Sequence, residues 1–390
     1  MWITRLDGGP KKVNHAAVAI DDKIYSFGGY CSGEDFESNR PMEIYVLQTA
    51  TLRWKALPPP TGGFDEDCRQ SQVPFHRYGH SAVVWQQCVL IWGGRNDLDG
   101  ACNTLYVYDT QRAVWWRPAV QGIVPEKRDG HAATILGDDM YIFGGFEEQG
   151  DRFSSELYRL HIPTMTWHHV VPAGLRPMPR DFATMQVVDG HLLLWGGRGD
   201  LDEEGLHTGT EKYENFLHEY DVEHNAWLHH VLRYAPPARR SHASFLHQGR
   251  MHIFGGFNGR DHFNDLWVFD QRLMRWNEIK FGSSPVVPCP RRRMCCCVVE
   301  DRLFLFGGTS PANQIPEAAN LLADNGLVDH EDLCMMEFLP RLDTLAMVAV
   351  IRHQLPTTRL PFTVRLDLLV LTTPNSLSPQ QRLRAGNHSG

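Results

Sequence analysis

The sequence predicts an all-β chain: a six-bladed β-propeller closed by its N-terminal strand, with a short C-terminal helical segment. Two observations carry this. A glycine pair ends a short apolar strand six times, at Gly28-Gly29, Gly93-Gly94, Gly144-Gly145, Gly196-Gly197, Gly255-Gly256 and Gly307-Gly308, in steps of 65, 51, 52, 59 and 52 residues. A tryptophan follows in five of the six units: Trp54, Trp115, Trp167, Trp227 and Trp276. Self-similarity at about 50 residues marks a stack of supersecondary units, each unable to bury its apolar face alone.

Each unit reads as four strands. The first opens three residues after a basic residue, as in Arg77-Tyr-Gly-His80-Ser-Ala and Arg128-Asp-Gly-His131-Ala-Ala. The second runs into the glycines, as in Tyr141-Ile-Phe-Gly-Gly145. The third is Leu105-Tyr-Val-Tyr-Asp109 or Leu266-Trp-Val-Phe-Asp270, and the tryptophan stands in the fourth. Unit six has a first strand (Cys295 to Val299), a second (Leu303 to Gly308) and a third (Asp332 to Phe338), but no following tryptophan. The missing strand is at the other end of the chain. Trp2-Ile-Thr-Arg-Leu6 reads like Trp276-Asn-Glu-Ile279 and leads into Lys12-Val-Asn-His15-Ala-Ala, so residues 2–6 are expected as the outermost strand of blade six. Mixing the two chain ends in one sheet leaves no blade partly paired. The propeller then takes residues 1–339, a helical segment 340–373 and a disordered tail 374–390.

A ring holds 390 residues in one unit. There is no basic-apolar-small leader at Met1, and the apolar run Leu345 to Ile351 is far short of a membrane span. The nine cysteines are odd in number, and Cys295-Cys296-Cys297 alternate between the faces of a strand. That geometry does not close a tetrahedral zinc site; packed thiols in a reducing compartment, cytoplasmic and nuclear, are expected, with no metal and no cofactor. The net charge of −8 argues against general nucleic-acid binding. No Ser/His/Asp order or paired carboxylates stand out, and the glycine pairs end strands and do not open helices, so no nucleotide loop is present. His15, His80, His131 and His242 occupy one repeated slot, with Ala183 and Cys295 in the other two blades. That pattern points to packing and not catalysis.

The basic residues are concentrated where the first strand starts and the second ends, two places that share one face beside the channel. Lys12, Arg77, Arg128, Arg180, Arg239 with Arg240, and Arg291 to Arg293 precede first strands; Arg95 and Arg198 follow glycine pairs, with Arg260 further along its loop. Arg77, Arg95, Arg128, Arg180, Arg239 and Arg292 are candidates for a cationic rim. A repeated basic residue equally suits a backbone carbonyl or a neighbouring carboxylate such as Asp129 or Asp181. Arg198 and Arg240 fall outside the repeated position. With Ser241 they form the candidate site for a carboxylate, which accepts two parallel charge-assisted bonds.

After Leu339 the pattern changes. Leu342, Ala346 and Val350 recur at four-residue spacing, one stripe of a helix, while Leu345, Val348 and Ile351 lie off it. A helix apolar around most of its surface is buried on more than one side. A propeller covers one; a partner protein is expected on the other. A second short apolar element follows at Leu360-Pro361-Phe-Thr-Val364-Arg-Leu366.

The glycine period, with Val13-Asn-His-Ala-Ala-Val18, Tyr25-Ser-Phe-Gly-Gly-Tyr-Cys-Ser-Gly-Glu-Asp35, Trp92-Gly-Gly-Arg-Asn-Asp97, Cys289-Pro-Arg-Arg-Arg293 and Leu303 to Pro311, resembles the kelch propellers. In particular it resembles the kelch substrate receptors of cullin-2 RING ubiquitin ligases, along nearly all its length. The resemblance implies a non-catalytic receptor that binds proteins ending in glycine. It implies elongin C, with elongin B, on Leu342, Ala346 and Val350, and cullin-2 with its RING subunit on Leu360, Pro361 and Val364. Ala346 stands where the adaptor motif prefers cysteine, and Arg341 where a small residue usually precedes the leucine. A relative holds the ligand carboxylate with an arginine after a glycine pair, here Arg198, and a serine that falls on Arg240, beside Ser241. The same resemblance leaves open a chromatin-associated role in meiotic recombination. The chain itself ends in Gly390, so its tail is a candidate for occupying its own site or that of a second copy.

Overall fold

The computed structural model of the chain describes residues 1–32, 39–65, 71–201, 207–282, 286–312 and 326–377. Six antiparallel sheets carry the four strands of each unit. Blade one is Ala16–Ile20, Lys23–Phe27, Ile44–Gln48 and Arg53–Ala56. Blade two is Tyr78–Trp85, Cys88–Asn96, Tyr106–Asp109 and Val114–Trp116. Blade three is Ala132–Leu136, Asp139–Phe143, Leu157–His161 and Thr166–Val170. Blade four is Asp181–Val188, His191–Leu201, Leu217–Asp221 and Ala226–His230. Blade five is Ala243–His247, Arg250–Phe257, His262–Asp270 and Arg275–Ile279. Blade six is Cys295–Val299, Arg302–Phe306 and Leu333–Glu337, completed by Trp2–Leu6. That last strand pairs Thr4 with Met335, Arg5 with Cys334 and Leu6 with Leu333.

The aromatic residue before each glycine pair explains how blades stack. Trp115 packs on Phe27 and Trp227 on Phe143, edge to face, while Trp167 on Trp92 and Trp276 on Trp195 are tilted pairs; ring centroids lie 5.4–6.0 Å apart. Trp54 of blade one reaches back to Phe306 of blade six at 4.9 Å, and Trp2 of blade six to Phe254 of blade five at 5.9 Å. Each outer-strand tryptophan thus closes on the second strand of the preceding blade, all the way round. Such pairs contribute about 0.5–1.5 kcal/mol beyond the area they bury.

At the axis the main chain closes the ring. Gly79 N–H donates to Asn14 O (3.0 Å), Gly130 to Gly79 (2.9 Å), Phe182 to Gly130 (2.7 Å), Ser241 to Phe182 (3.1 Å), Arg293 to Ser241 (2.9 Å) and Asn14 to Arg293 (3.0 Å). All six residues have positive φ, including Phe182 at 50°, Ser241 at 54° and Arg293 at 61°. A non-glycine residue with positive φ is uncommon, and here it turns each first strand toward the axis.

The slot after each ring residue is filled by His15, His80, His131, Ala183, His242 and Met294, not by Cys295 as the strand limits suggested. A Cβ on Gly308 would meet Met294 Cβ at 2.9 Å, as one on Gly94 would meet His80 Cβ at 2.6 Å. The imidazoles pack between blades, with His131 on Trp92 at 4.9 Å and His242 on Trp195 at 5.0 Å. Burial pushes all four histidines down to about 3. They are neutral packing groups at pH 7. Cys295 and Cys297 are buried on one side of their strand, and burial pushes the Cys297 thiol up to about 12.

Beyond the propeller, α1 (Leu342–Arg352) and α2 (Phe362–Thr372) lie against the junction of blades one and six. Met347, Val348, Ile351, Val370 and Leu371 join the core built by Trp54, Phe304 and Phe306. The tail was expected to be disordered from residue 374, but its start is packed. Asn375 Oδ1 accepts the Trp54 N–H at 3.0 Å, and Leu377 is buried in the same core. Gly390 and the proposed self-association through the tail lie outside the described residues.

Candidate functional site: the axial depression and the arginines around it

Four of the six rim candidates are not on a rim. Arg77, Arg128, Arg180 and Arg239 are at most 3% exposed. Each Nε donates to the carbonyl two residues earlier, from Phe75, Glu126, Met178 and Pro237. Each Nη1 donates to the carbonyl of the first glycine of its own blade: Gly93, Gly144, Gly196 and Gly255, at 2.9–3.2 Å. Arg291 repeats the pattern with Cys289 and Gly307. The planar five-donor fork spans two strands and satisfies carbonyls that water does not reach. These arginines are clamps within each blade. Four of the charges are met by Glu147 for Arg128 (2.8 Å), Glu214 for Arg180, Asp265 for Arg239 and Asp332 for Arg291, while the Arg77 guanidinium lies 3.9 Å over the Phe75 ring.

The ring residues surround a depression of about 460 Å³. It is lined by Asn14, Tyr30, Tyr78, Arg95, Asp97, Asp129, Phe146, Asp181, Phe182, Arg198 and Arg293. Arg95 and Arg198 therefore lie together, as their positions after the glycine pairs implied. Arg198 is held by Asp181, Nε to Oδ1 at 2.9 Å and Nη2 to Oδ2 at 3.1 Å. Its Nη1 also reaches Glu211. Burial pushes Arg198 down, and Asp181 and Glu211 together outweigh it and raise the guanidinium above its ordinary value. Asp129 is pushed up to about 7, first by burial, with Arg95 opposing and Asp181 adding.

Arg240 stands beside this depression, with Nη2 on Glu211 Oε1 at 2.9 Å. Arg198 and Arg240 thus converge, and on a carboxylate of the chain itself. The Ser241 hydroxyl is buried with no hydrogen-bond partner among the described residues. Arg292 lies 4.5 Å over the Phe257 ring, and burial, then Arg293 and Arg240, lower it to about 10. His262 is lowered to about 4 by burial and the same three arginines. Arg293 bonds the Tyr30 hydroxyl at 2.5 Å. Reading the sequence missed Glu211, Tyr30, Tyr78 and the particular importance of Arg293. Tyr30 directly follows a glycine pair, as Arg95 and Arg198 do, which is a signal for it; Tyr78 and Glu211 carried none that set them apart.

The stripe Leu342, Ala346 and Val350 of α1 is exposed on one side. Leu342 is 83% exposed, Leu345 and Ala346 are open to solvent, and Val350 is half-buried. Pro361 immediately precedes α2, between half-buried Leu360 and Val364.

The sequence model described as the KLHDC2/KLHL20/DRC7 Kelch-repeats domain matches residues 14–154 and 79–308. The chain is 43% identical to Kelch domain-containing protein 3 of Homo sapiens over 97% of each chain, and equally identical to that of Mus musculus over the same shares. This chain belongs to the kelch-repeat family. Host cell factor 2 of Homo sapiens is a more distant relative, 31% identical over 61% of this chain and 31% of its own length. A kelch propeller is a protein-interaction domain, and the depression is its concave face. No helix among the described residues is long and apolar enough to cross a membrane.

Proposed function

We propose that this kelch protein is the substrate-recognition subunit of a cullin-2 RING ubiquitin ligase that binds proteins ending in glycine. The observation that carries the reading is the second apolar face of α1. Met347, Val348 and Ile351 pack on the propeller, while Leu342, Leu345, Ala346 and Ala349 face solvent. Exposed apolar residues continue onto α2 as Phe362, Leu366 and Leu369, along a groove of about 540 Å³. Continuous apolar surface of this kind marks a protein-interaction site. The arginines at the depression support carboxylate recognition, since Arg198 and Arg240 already share one carboxylate.

Co-purification tests the assembly. Elongin C and cullin-2 are expected to be recovered with the wild type and lost with Leu342→Glu, whose melting temperature stays unchanged because the site is exposed. Replacing Leu360 and Pro361 by alanine is expected to lose cullin-2 and retain elongin C. Full recovery of elongin C with soluble Leu342→Glu overturns the reading.

A further inference from the structure

Glu211 lies on the strand His207–Lys212, which pairs back on the end of the second strand of blade four. Its Oε1 receives Arg240 Nη2 at 2.9 Å and also Arg198 Nη1, and its Oε2 receives the Tyr213 hydroxyl. Burial pushes Glu211 up; the Tyr213 hydroxyl and the two guanidiniums outweigh it and hold the carboxyl below its usual range. Arg198 is matched by Asp181 as well, whereas Arg240 stands among Arg292, Arg293 and His262. A chain carboxylate therefore occupies the position that a ligand carboxylate would take.

We propose that Glu211 is the specificity-determining residue of this site, an internal stand-in that a ligand must replace to reach Arg240. The inference rests on the carboxylate-binding reading proposed above. The exchange is one carboxylate for another, so the charge-assisted bonds of the ligand are offset by those that Glu211 loses. Glu211 is also tethered, which gives it an effective concentration of about millimolar or more. A small free acid then gains nothing by entering. A peptide does, because its residues before the terminus add contacts with Tyr30, Tyr78, Phe146 and Phe182 in the depression. The site thus rejects lone carboxylates and selects chain ends.

The test compares the full chain with Glu211→Gln, which keeps size and polarity and removes the charge. The probes are N-acetylglycine and a ten-residue peptide ending in glycine, each as free acid and as amide. Wild type is expected to bind the peptide acid over its amide and to ignore millimolar N-acetylglycine. The variant is expected to bind the peptide acid about tenfold tighter, the size of one charge-assisted contact, and to bind N-acetylglycine. If wild type prefers acid over amide but the variant binds no tighter, the inference falls and the carboxylate reading stands. If neither protein prefers the acid, the carboxylate reading falls and the inference falls with it.

Discussion

Arg5 and Asp332 face each other across the two strands that join the chain's ends, with Arg5 Nε 3.0 Å from Asp332 Oδ2. The same carboxylate receives Arg291 Nη1 at 2.6 Å and Nη2 at 2.8 Å. Burial alone would push Asp332 up, but Arg291, His330 and Arg5 outweigh it and hold the carboxyl well below the usual range. Asp332→Asn leaves Arg291 buried with its charge unmet, and is expected to cost about 3–5 kcal/mol at pH 7 in urea unfolding. Because the folded value is depressed, this contribution is fully present above the unfolded-chain value of about 3.9 and is lost as pH falls below it toward the folded value. The gap between wild type and variant should therefore close in acid. A gap that is constant down to pH 2 would show that Asp332 acts by packing alone.

Arg128 tests the clamp. Lysine keeps the charge but cannot reach Glu126 O, Gly144 O and Ser154 Oγ together, three contacts that Arg128 makes at 3.0 Å. Arg128→Lys is expected to cost about 2–3 kcal/mol, since buried carbonyls lose their donors. The urea midpoint should fall with an unchanged slope. Arg112→Lys, at a side chain 81% exposed, should stay within about 0.5 kcal/mol of wild type.

Asp129 gives the opposite pH signature. Its folded value of about 7 lies above that of the unfolded chain, so stability drains away as pH rises from about 3.9 to 7 and then levels off. Asp129→Asn removes the penalty. It is expected to stabilise the protein by roughly 2–4 kcal/mol at pH 8 and to change little at pH 4. Equal effects at both pH values would sink the argument.

Gly196 and Gly190 separate strain from collision. Both have positive φ, 74° and 83°. A Cβ on Gly196 would lie 2.5 Å from His242 Cε1 and 2.8 Å from Arg239 O, whereas one on Gly190 meets nothing within 4 Å. Gly190→Ala should cost about 1–2 kcal/mol, the left-handed penalty alone. Gly196→Ala should lower the melting temperature considerably further, since the contact between blades four and five has to open.

Much of the fold was legible because its signals repeat. The glycine pairs, the tryptophans and the displaced Trp2 each recur in register, and a recurrence survives noise at any one unit. The slot in blade six was misread because Cys295 opens the strand while Met294, one residue earlier, holds the geometric position set by Arg293. The arginines were harder. Arg198 stood apart from Arg77 because it falls outside the repeated position, but the repeat alone does not say that Arg77 is buried and turned onto the carbonyls of its own blade. Glu211 was invisible because its strand, His207–Lys212, is not one of the four strands of the repeat. Asn375 and Leu377 were hidden by the polar composition around them, although two side chains are enough to anchor a segment.

The six positive-φ residues at the axis have a consequence for how such a protein changes its ligand. The ring is made of amides and carbonyls, while Asn14, Phe182 and Arg293 present their side chains to the depression. The main chain closes the circle, and side chains of the same residues line the depression. Any side chain that tolerates a left-handed backbone can be exchanged there without opening the circle. The architecture permits retargeting one blade at a time, with the hoop left intact.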